Sequence, residues 1–416
     1  MKHLPEIFFV TAFFGIVFLL GGYDEKVGSA IGNTKMGAAV FFTQSTTSAQ
    51  LQDTFKNASS TKKKLNILIV PGHEPDFGGA EYQGIKERDL NADLALYLAQ
   101  YLVEDGHYEV VLARGRERRN PFLENYFASS AEEIKKFVNT QKEEMARLVQ
   151  EGKITTKNNG VEHNDAPTDV ALRLYGINKW ANEHKVDIIL HVHFNDSAPR
   201  KVNNPGEYNG FTIYTPERQY SNAEASAEVS KHIFKRLSKM FPVSNLDGEA
   251  VGVVEDQELI ALGSGNTVDA ASVLVEYGYI YEPQLRTQSV RTPVLKELAF
   301  QTYLGLADFF HEPSVISSPY ESTFLPYEGK TPVKKTLLAN KEVLSFQAAL
   351  SHKGFYPPEN YTKNDCPISG LFGPCTHTAI TAFQREHNIK GEKGEAGPKT
   401  RSTLRSLFAP ELITTR

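Results

Sequence analysis

The chain has 416 residues, with 45 Lys and Arg, 50 Asp and Glu, and a net charge of −5. At roughly 150 residues per domain this length predicts two or three domains, and 40% hydrophobic with 23% charged residues is typical of a globular protein rather than a disordered or multi-span membrane protein. The slightly acidic balance argues against nucleic acid as a partner. Two cysteines exclude a disulfide scaffold or a four-cysteine zinc site, whereas 12 histidines leave a His-ligated metal open.

An apolar stretch, residues 7–20, lies behind Lys2 at the N-terminus. Its length is typical of the core of a secretory signal and shorter than the about 20 residues that a spanning helix needs. Residues 1–30 are therefore expected to be a signal peptide or, because only the weak cleavage site Gly28-Ser29-Ala30 follows, a retained membrane anchor. The protein is expected to be exported to the cell envelope or periplasm. A buried core helix is the alternative for this stretch.

A polar, Ser- and Thr-rich segment, residues 31–64, is expected to be a linker. Apolar β-branched runs then alternate with segments of helical spacing as far as about residue 311. The predicted strands are 65–70, 108–113, 187–193 and 272–278, and the predicted helices are 87–104, 131–151, 168–184, 221–240 and 291–310. This alternation predicts an α/β domain with helices on both faces of a sheet. Residues 116–168 are charged and helix-prone, and are expected to be an insertion beside the sheet.

Polar residues lie near the ends of these predicted elements. His73 directly follows the first strand, and Glu87 begins the next helix after a Gly-rich loop. His191 and His193 alternate along a strand, so both imidazoles share one face of the sheet. Two His and one Glu, with a fourth position left to water, form the ligand set of a catalytic zinc site. Glu276 ends the last strand, where a carboxylate would take a proton from water and pass it to a leaving nitrogen.

Each of these residues also has a structural interpretation. A histidine at a strand end, such as His73, is often structural, and a carboxylate at a helix start, such as Glu87, favours the helix dipole. Buried imidazoles or a buried Glu276 would need hydrogen-bond partners with or without a metal. The joint pattern, rather than any one residue, predicts zinc-dependent hydrolysis.

Four spaced motifs resemble those of the zinc-dependent N-acetylmuramoyl-L-alanine amidases. They are ILIVPGHE, GGA with GIKERDLN, AN with VDIILHVHFN, and SVLVEYGY, in the family's order over about residues 65–311. The family shows PGHGG, then G..E at the head of a helix, AN....D before SIHxN, and LVExG. The resemblance implies a mixed sheet with helices on both faces. It also implies one zinc ion held by His73, Glu87 and His193, with Glu276 as the catalytic base.

The implied reaction is hydrolysis of the amide bond between the lactyl group of N-acetylmuramic acid and L-alanine in peptidoglycan, by zinc-activated water. Asn195 matches the Asn after the second His ligand, and both Asn195 and His191 are expected beside the metal or the substrate. The alternative for His191 is that it competes with His193 as a ligand. The chain departs from the family by Glu74 in place of Gly, by His191 in place of Ser, and by lacking an Arg before the last strand. The alternatives are another zinc amidohydrolase or carboxypeptidase of related fold, or a non-catalytic cell-wall-binding protein.

The insertion at 116–168 is longer than the corresponding connection in many family members. Its residues His163, Asn164 and Asp165 are expected to form a surface loop, with a reach into the cleft as the alternative. In some amidases an inserted helix blocks the site until a partner removes it, so an activator protein acting on this insertion is the corresponding hypothesis. The protein is expected to be a monomer.

A second linker at 312–337 is expected to precede a small module at 338–408. This module resembles the peptidoglycan-binding domain of three short helices through VLSFQAALSHKGFYPP, SGLFGPCTHTAITAFQREHNI and GEAGPKTRSTL. The resemblance implies peptidoglycan as the partner, while Tyr356 and Phe372 are expected to pack in the core. Cys366 and Cys375 flank one turn, and in an exported chain they are expected to form a disulfide.

Overall fold

A six-stranded sheet forms the centre of the computed structural model, which describes residues 45–61, 63–161, 166–197, 200–201, 203–311, 320–333 and 335–408. Its strands run in the order β4-β1-β5-β8-β6-β7, and β2 and β3 form a separate small hairpin. The strands are β1 (Leu65–Pro71), β2 (Glu81–Tyr82), β3 (Ile85–Lys86), β4 (Tyr108–Leu112), β5 (Ile188–Asn195), β6 (Thr212–Pro216), β7 (Val253–Asp256) and β8 (Ala271–Tyr279).

The sheet is mixed, as the family resemblance implies. Strands β4, β1, β5 and β8 pair in parallel, whereas β6 pairs antiparallel with β8 and in parallel with β7. The four parallel strands are those that the sequence predicts. The short strands β6 and β7 were not predicted, and they extend the sheet beyond β8.

Helices cover both faces of the sheet, which confirms the predicted fold class. On one face α2, α6 and α8 bury leucines, valines and isoleucines against β1, β5 and β8, and on the other α3 and α5 pack on β1 and β5. The helices are α1 (Ser48–Thr61), α2 (Glu87–Asp105), α3 (Pro121–Ser129), α4 (Ala131–Gln150), α5 (Thr168–Glu183), α6 (Ala223–Met240), α7 (Pro283–Arg286), α8 (Gln288–Phe309), α9 (Lys341–His352), α10 (Pro374–Glu386) and α11 (Pro398–Ser406).

Part of the segment expected to be a linker is the helix α1. Leu51, Phe55 and Ala58 recur at helical spacing and are buried. The Phe55 ring stacks on His107 and on Phe310, which attaches α1 to the body of the sheet. Three apolar residues among many polar ones gave too weak a periodicity to predict this helix.

The N-terminal apolar stretch and the predicted signal peptide or anchor, residues 1–30, lie outside the described residues. Within the part of the chain that the structure describes, no helix combines the length and the apolar character needed to cross a membrane.

The predicted insertion contains α3, which packs on one face of the sheet, and α4, which packs outside it on α5. Helix α4 buries Ile134 and Val138 in a small apolar cluster with Tyr175 of α5. The chain then crosses to the far edge of the sheet, where the Asn159 side chain donates to Asp256 of β7 at 2.6 Å. Residues 162–165, which include His163, Asn164 and Asp165, lie outside the described residues.

The C-terminal module consists of α9, α10 and α11 around Phe346, Ile380 and Phe383. A disulfide joins Cys366 to Cys375, and Tyr356 is buried. A contact with the domain that holds the sheet lies close to the disulfide, because the Asn364 amide donates to the Asn209 side chain and to the Val243 carbonyl, each at 2.8 Å.

Candidate metal centre

Three polar side chains from separate elements lie together at the carboxyl ends of the parallel strands. His73 follows β1, Glu87 is the first residue of α2, and His193 lies in β5. His73 Nε2 is 2.9 Å and His193 Nδ1 is 3.4 Å from Glu87 Oε1. One ligand atom from each side chain lies within 4.8 Å of the other two, so the three predicted ligands form one cluster.

The turn that carries His73 is held in an unusual backbone conformation. His73 has φ of 64°, in the left-handed region that few residues other than glycine adopt. The buried guanidinium of Arg114 donates to the His73 carbonyl at 2.6 Å and also to the Gly72 carbonyl. Position 72 requires glycine, because an added Cβ would lie 2.1 Å from the His193 ring. Arg114 and Gly72 therefore fix how the His73 ring faces His193.

Glu87 is buried and held on both sides of its carboxylate. The Ala80 backbone N–H donates to Oε2 at 2.9 Å, and the Asn91 amide donates to Oε1 at 3.3 Å. Burial acts to raise the pKa of the Glu87 carboxyl, but the hydrogen bonds from His193 and His73 outweigh it and hold the pKa far below its ordinary value. Glu87 is therefore an anion within reach of two imidazoles.

This donor set fits a zinc ion. Zinc in catalytic sites takes three nitrogen or carboxylate ligands from the protein and leaves a fourth position open. The cluster supplies two imidazole nitrogens and one ionised carboxylate, while 31% of the His73 side chain and 20% of the His193 side chain are exposed. A bound metal would therefore remain accessible to a substrate.

His191 does not join the cluster. Its side chain is 1% exposed, and burial together with the nearby His193 lowers the pKa of the His191 ring to about 3. A hydrogen bond with the backbone of Ala261 orients the ring, whereas its Nε2 is buried with no partner among the described residues. A neutral, buried imidazole thus lies two residues from a cluster member on the same face of the strand.

Glu276 lies on β8 directly opposite His193 in the strand register. Its side chain is partly buried, and Oε2 has no hydrogen-bond partner among the described residues. Burial raises the pKa of the Glu276 carboxyl well above its ordinary value, and the charges of Glu87 and Glu249 raise it further. A carboxyl group that holds a proton readily therefore lies beside the cluster.

Both polar atoms of the Asn195 side chain form hydrogen bonds within the protein. The amide donates to Glu249 Oε1 at 2.8 Å, and Oδ1 accepts from the backbone N–H of Asp196 at 2.8 Å. Glu249 and Arg114 were not predicted from the sequence. Arg114 lies two residues after β4, and an arginine at the end of an apolar predicted strand was a signal that could have identified it. Glu249 lies in a polar turn with no such signal.

The insertion adds no ligand to the cluster in the residues that the structure describes. Beside the cluster, Glu74 occupies the position where the family has Gly. The Arg119 guanidinium donates to Glu74 at 2.6 Å, and Arg173 lies 3.9 Å from the same carboxylate. Glu74 thus joins an ion-pair network with the insertion and α5.

Comparison with known families assigns the domain that carries this centre. A family model described as N-acetylmuramoyl-L-alanine amidase matches residues 67–308, more than half of the chain. The chain belongs to this amidase family. A model of a peptidoglycan binding domain matches residues 339–404. The amidase assignment and peptidoglycan as the partner, both predicted from sequence motifs, are confirmed. No curated protein matches the chain.

Several solved amidases have a similar fold at low sequence identity. The amidase Ami1 from Mycobacterium abscessus is 14% identical, with a TM-score of 0.39 over 59% of this chain and 98% of its own. The CwlD amidase from Clostridioides difficile, solved in complex with the GerS lipoprotein, is 16% identical, with a TM-score of 0.39 over 60% and 99%. AmiC2 of Nostoc punctiforme is 17% identical, with a TM-score of 0.35 over 60% and 98%. The family match, rather than these superpositions, supports the assignment.

Proposed function

We propose that this amidase cleaves the bond between the lactyl group of N-acetylmuramic acid and L-alanine with a zinc ion held by His73, Glu87 and His193. Glu276 is the general base in this proposal. The observation that carries it is the convergence of three ligand atoms within 4.8 Å beside a carboxyl with a raised pKa. A zinc ion at this position would polarise the scissile carbonyl and activate the attacking water.

The residues of the chain supply the proton chemistry. The Glu276 carboxylate accepts a proton from the attacking water and returns it to the leaving nitrogen of L-alanine, so that the C–N bond breaks and a carboxylic acid and a free amine form. Burial supports this role, because it raises the pKa of Glu276 toward the range in which a carboxyl group both takes up and releases a proton. Each turnover leaves Glu276 in its starting state.

The neighbouring histidine supports the choice of ligands. Because burial keeps His191 neutral and a hydrogen bond holds its ring toward Ala261, it adds no positive charge beside the metal. We therefore assign the ligand role to His193, whose Nδ1 faces Glu87. His191 and Asn195 pack beneath the centre, and neither is proposed to bind substrate.

We propose that the protein is an exported monomer of the cell envelope. Residues 1–30 are a signal peptide or anchor in this proposal, and residues 65–311 are the catalytic domain, to which α1 is joined. A linker at 312–337 then leads to the wall-binding module at 338–408. The disulfide supports an oxidising compartment. An activator protein acting on residues 116–168 stays a prediction.

A digest of peptidoglycan tests the proposed function. Residues 45–416, wild type and Glu276→Gln, are incubated with intact peptidoglycan, and the soluble products are read by mass spectrometry. We expect stem peptides with an unblocked L-alanine amine from the wild type only, lost on chelation and restored by added zinc. Glu276→Gln is expected to keep its zinc.

If Glu276→Gln released stem peptides at the wild-type rate, another residue would have to be the general base. Cleavage of a different bond would contradict the proposed substrate chemistry. An absence of cleavage by zinc-loaded wild type would contradict the activity itself.

A further inference from the structure

Glu249 is a buried carboxylate close to the metal centre, in the turn between α6 and β7. Only 1% of it is exposed. Each carboxylate oxygen accepts two hydrogen bonds from side chains. The donors are Asn195 Nδ2 at 2.8 Å and Tyr214 OH at 2.7 Å on Oε1, and Ser244 Oγ at 2.6 Å and Tyr279 OH at 3.0 Å on Oε2.

Three of these donors belong to three neighbouring strands. Asn195 is the last residue of β5, Tyr279 is the last residue of β8, and Tyr214 lies in β6. Strands β5 and β8 carry His193 and Glu276, which face each other in register. The pairing of β5 with β8 then shifts between His193 and Asn195, immediately beyond that pair. The Glu249 side chain thus joins the two strands where their backbone pairing becomes irregular.

The four bonds leave the carboxylate no other orientation. An ionised carboxylate only accepts hydrogen bonds, and those it receives in a buried site are stronger than bonds between neutral groups. Removing it would leave Asn195, Tyr214, Ser244 and Tyr279 without their common acceptor. The ends of β5 and β8 would then be free to move relative to one another.

We propose that Glu249 is a positioning residue for the amidase reaction. By holding Asn195 and Tyr279 it keeps His193 and Glu276 at the separation that the reaction needs, without touching the substrate. This inference rests on the proposed function, in which His193 binds the metal and Glu276 moves the proton.

Three substitutions separate hydrogen bonding from charge. Glu249→Gln keeps the length and shape, and its amide can donate to the Ser244 and Tyr279 hydroxyls while Oε1 accepts from Asn195 and Tyr214. Glu249→Asp keeps the charge but is one methylene too short to reach all four donors. Glu249→Ala removes both features.

The assay measures kcat and KM on a soluble muropeptide, together with zinc content and the temperature of unfolding. We expect Glu249→Gln to retain most of kcat, and Glu249→Asp and Glu249→Ala to lose ~10- to 100-fold in kcat with KM and zinc little changed, as a displacement of about 1 Å in a site produces. A kcat near the wild-type value in Glu249→Gln would show that the hydrogen bonds at position 249, rather than its negative charge, support the reaction.

Glu297 provides a matched control for the loss of a buried carboxylate. It is fully buried on α8, where it accepts from Thr323 and from Gln301, and it does not contact the metal centre. Glu297→Ala is expected to lower the unfolding temperature as Glu249→Ala does, with kcat unchanged.

Three results would overturn the inference. They are unchanged kcat in Glu249→Ala, a higher kcat in Glu249→Asp than in Glu249→Gln, and additive effects of Glu249→Ala and Asn195→Ala in the double variant, since residues that act through one contact are not additive. If Glu249→Ala does not fold, the comparison of Gln with Asp decides the matter. Active wild type with inactive Glu276→Gln in the same assay shows that the proposed function holds, whichever way the Glu249 variants behave.

Discussion

The central glutamines of the C-terminal module and two buried polar groups beside the candidate metal centre differ in how well their hydrogen bonds are satisfied. In the module, Gln347 donates to Leu371 O and Thr376 Oγ1 and accepts from the backbone N–H groups of Ser369 and Gly370. In the catalytic domain, Glu276 Oε2 and His191 Nε2 are buried with no partner among the described residues. A satisfied buried group stabilises a fold, whereas an unsatisfied one raises its energy, and a group that takes part in chemistry is one case in which such a cost is retained.

The module repeats its arrangement at a second place. Gln384 donates to Glu395 O and Thr400 Oγ1 and accepts from the Gly394 backbone N–H. Both glutamines follow a phenylalanine, and each bonds a threonine in a Gly-x-x-Gly-Pro-x-Thr turn. Each of these two buried glutamines thus holds one turn of the module in place.

Among the predictions for the catalytic domain, loss of a metal ligand is expected to have the largest effect on zinc binding and activity. His193→Ala should abolish zinc binding and amide hydrolysis, because it removes one of three ligands. His191→Ala should keep zinc, and should lower the unfolding temperature because a buried ring is lost. Zinc content by atomic emission, with activity on peptidoglycan, checks both. Zinc loss in His191→Ala but not in His193→Ala would reverse the ligand assignment.

A single methyl group tests how tightly the His73 turn is packed. Gly72→Ala would place Cβ 2.1 Å from the His193 ring, so the turn or the ring must move. We expect weaker zinc binding and a ~100-fold fall in kcat of the zinc-loaded variant. Gly373→Ala in the module is the control, because its Cβ would meet no atom within 4 Å. Equal activity of the two variants would show that the Gly72 turn tolerates the displacement.

Removal of the disulfide tests the module alone. The double variant Cys366→Ser, Cys375→Ser opens a short loop with a sequence separation of 9, and we expect a loss of ~2–3 kcal/mol in the stability of the module. Calorimetry should show the module transition at a lower temperature, while kcat on a soluble muropeptide stays at the wild-type value. A fall in kcat would mean that the module supports the catalytic domain directly.

The smallest expected effect is that of one module glutamine. Gln384→Ala leaves the Gly394 N–H and the Thr400 hydroxyl without this partner, which costs ~1–3 kcal/mol. Thermal unfolding and sedimentation with peptidoglycan should show a less stable module with weaker wall binding, at unchanged turnover of a soluble substrate. Unchanged stability of the Gln384→Ala variant would contradict the proposal that the Gln347 and Gln384 side chains stabilise the turns of the module.

The sequence predicted the parts of the molecule that local patterns determine. The four parallel strands are apolar runs, and His73, Glu87, His191 and His193 lie near strand ends or at a helix start, which pointed to one site. The family resemblance, rather than spacing, selected His193 over His191 as a ligand. Strands β6 and β7 are short and were missed. Glu249 was missed because its role depends on contacts with residues far away in the chain, such as Asn195, and a polar turn carries no sign of them.

An X-ray crystal structure of the zinc-loaded protein, with anomalous data at the zinc edge, would test the proposed metal centre. We expect one anomalous peak about 2.0–2.2 Å from His73 Nε2, a Glu87 carboxylate oxygen and His193 Nδ1, with the Glu276 carboxyl close to it on the neighbouring strand. A peak ligated by His191, or the absence of a peak in crystals of protein that still cleaves peptidoglycan, would contradict this proposal.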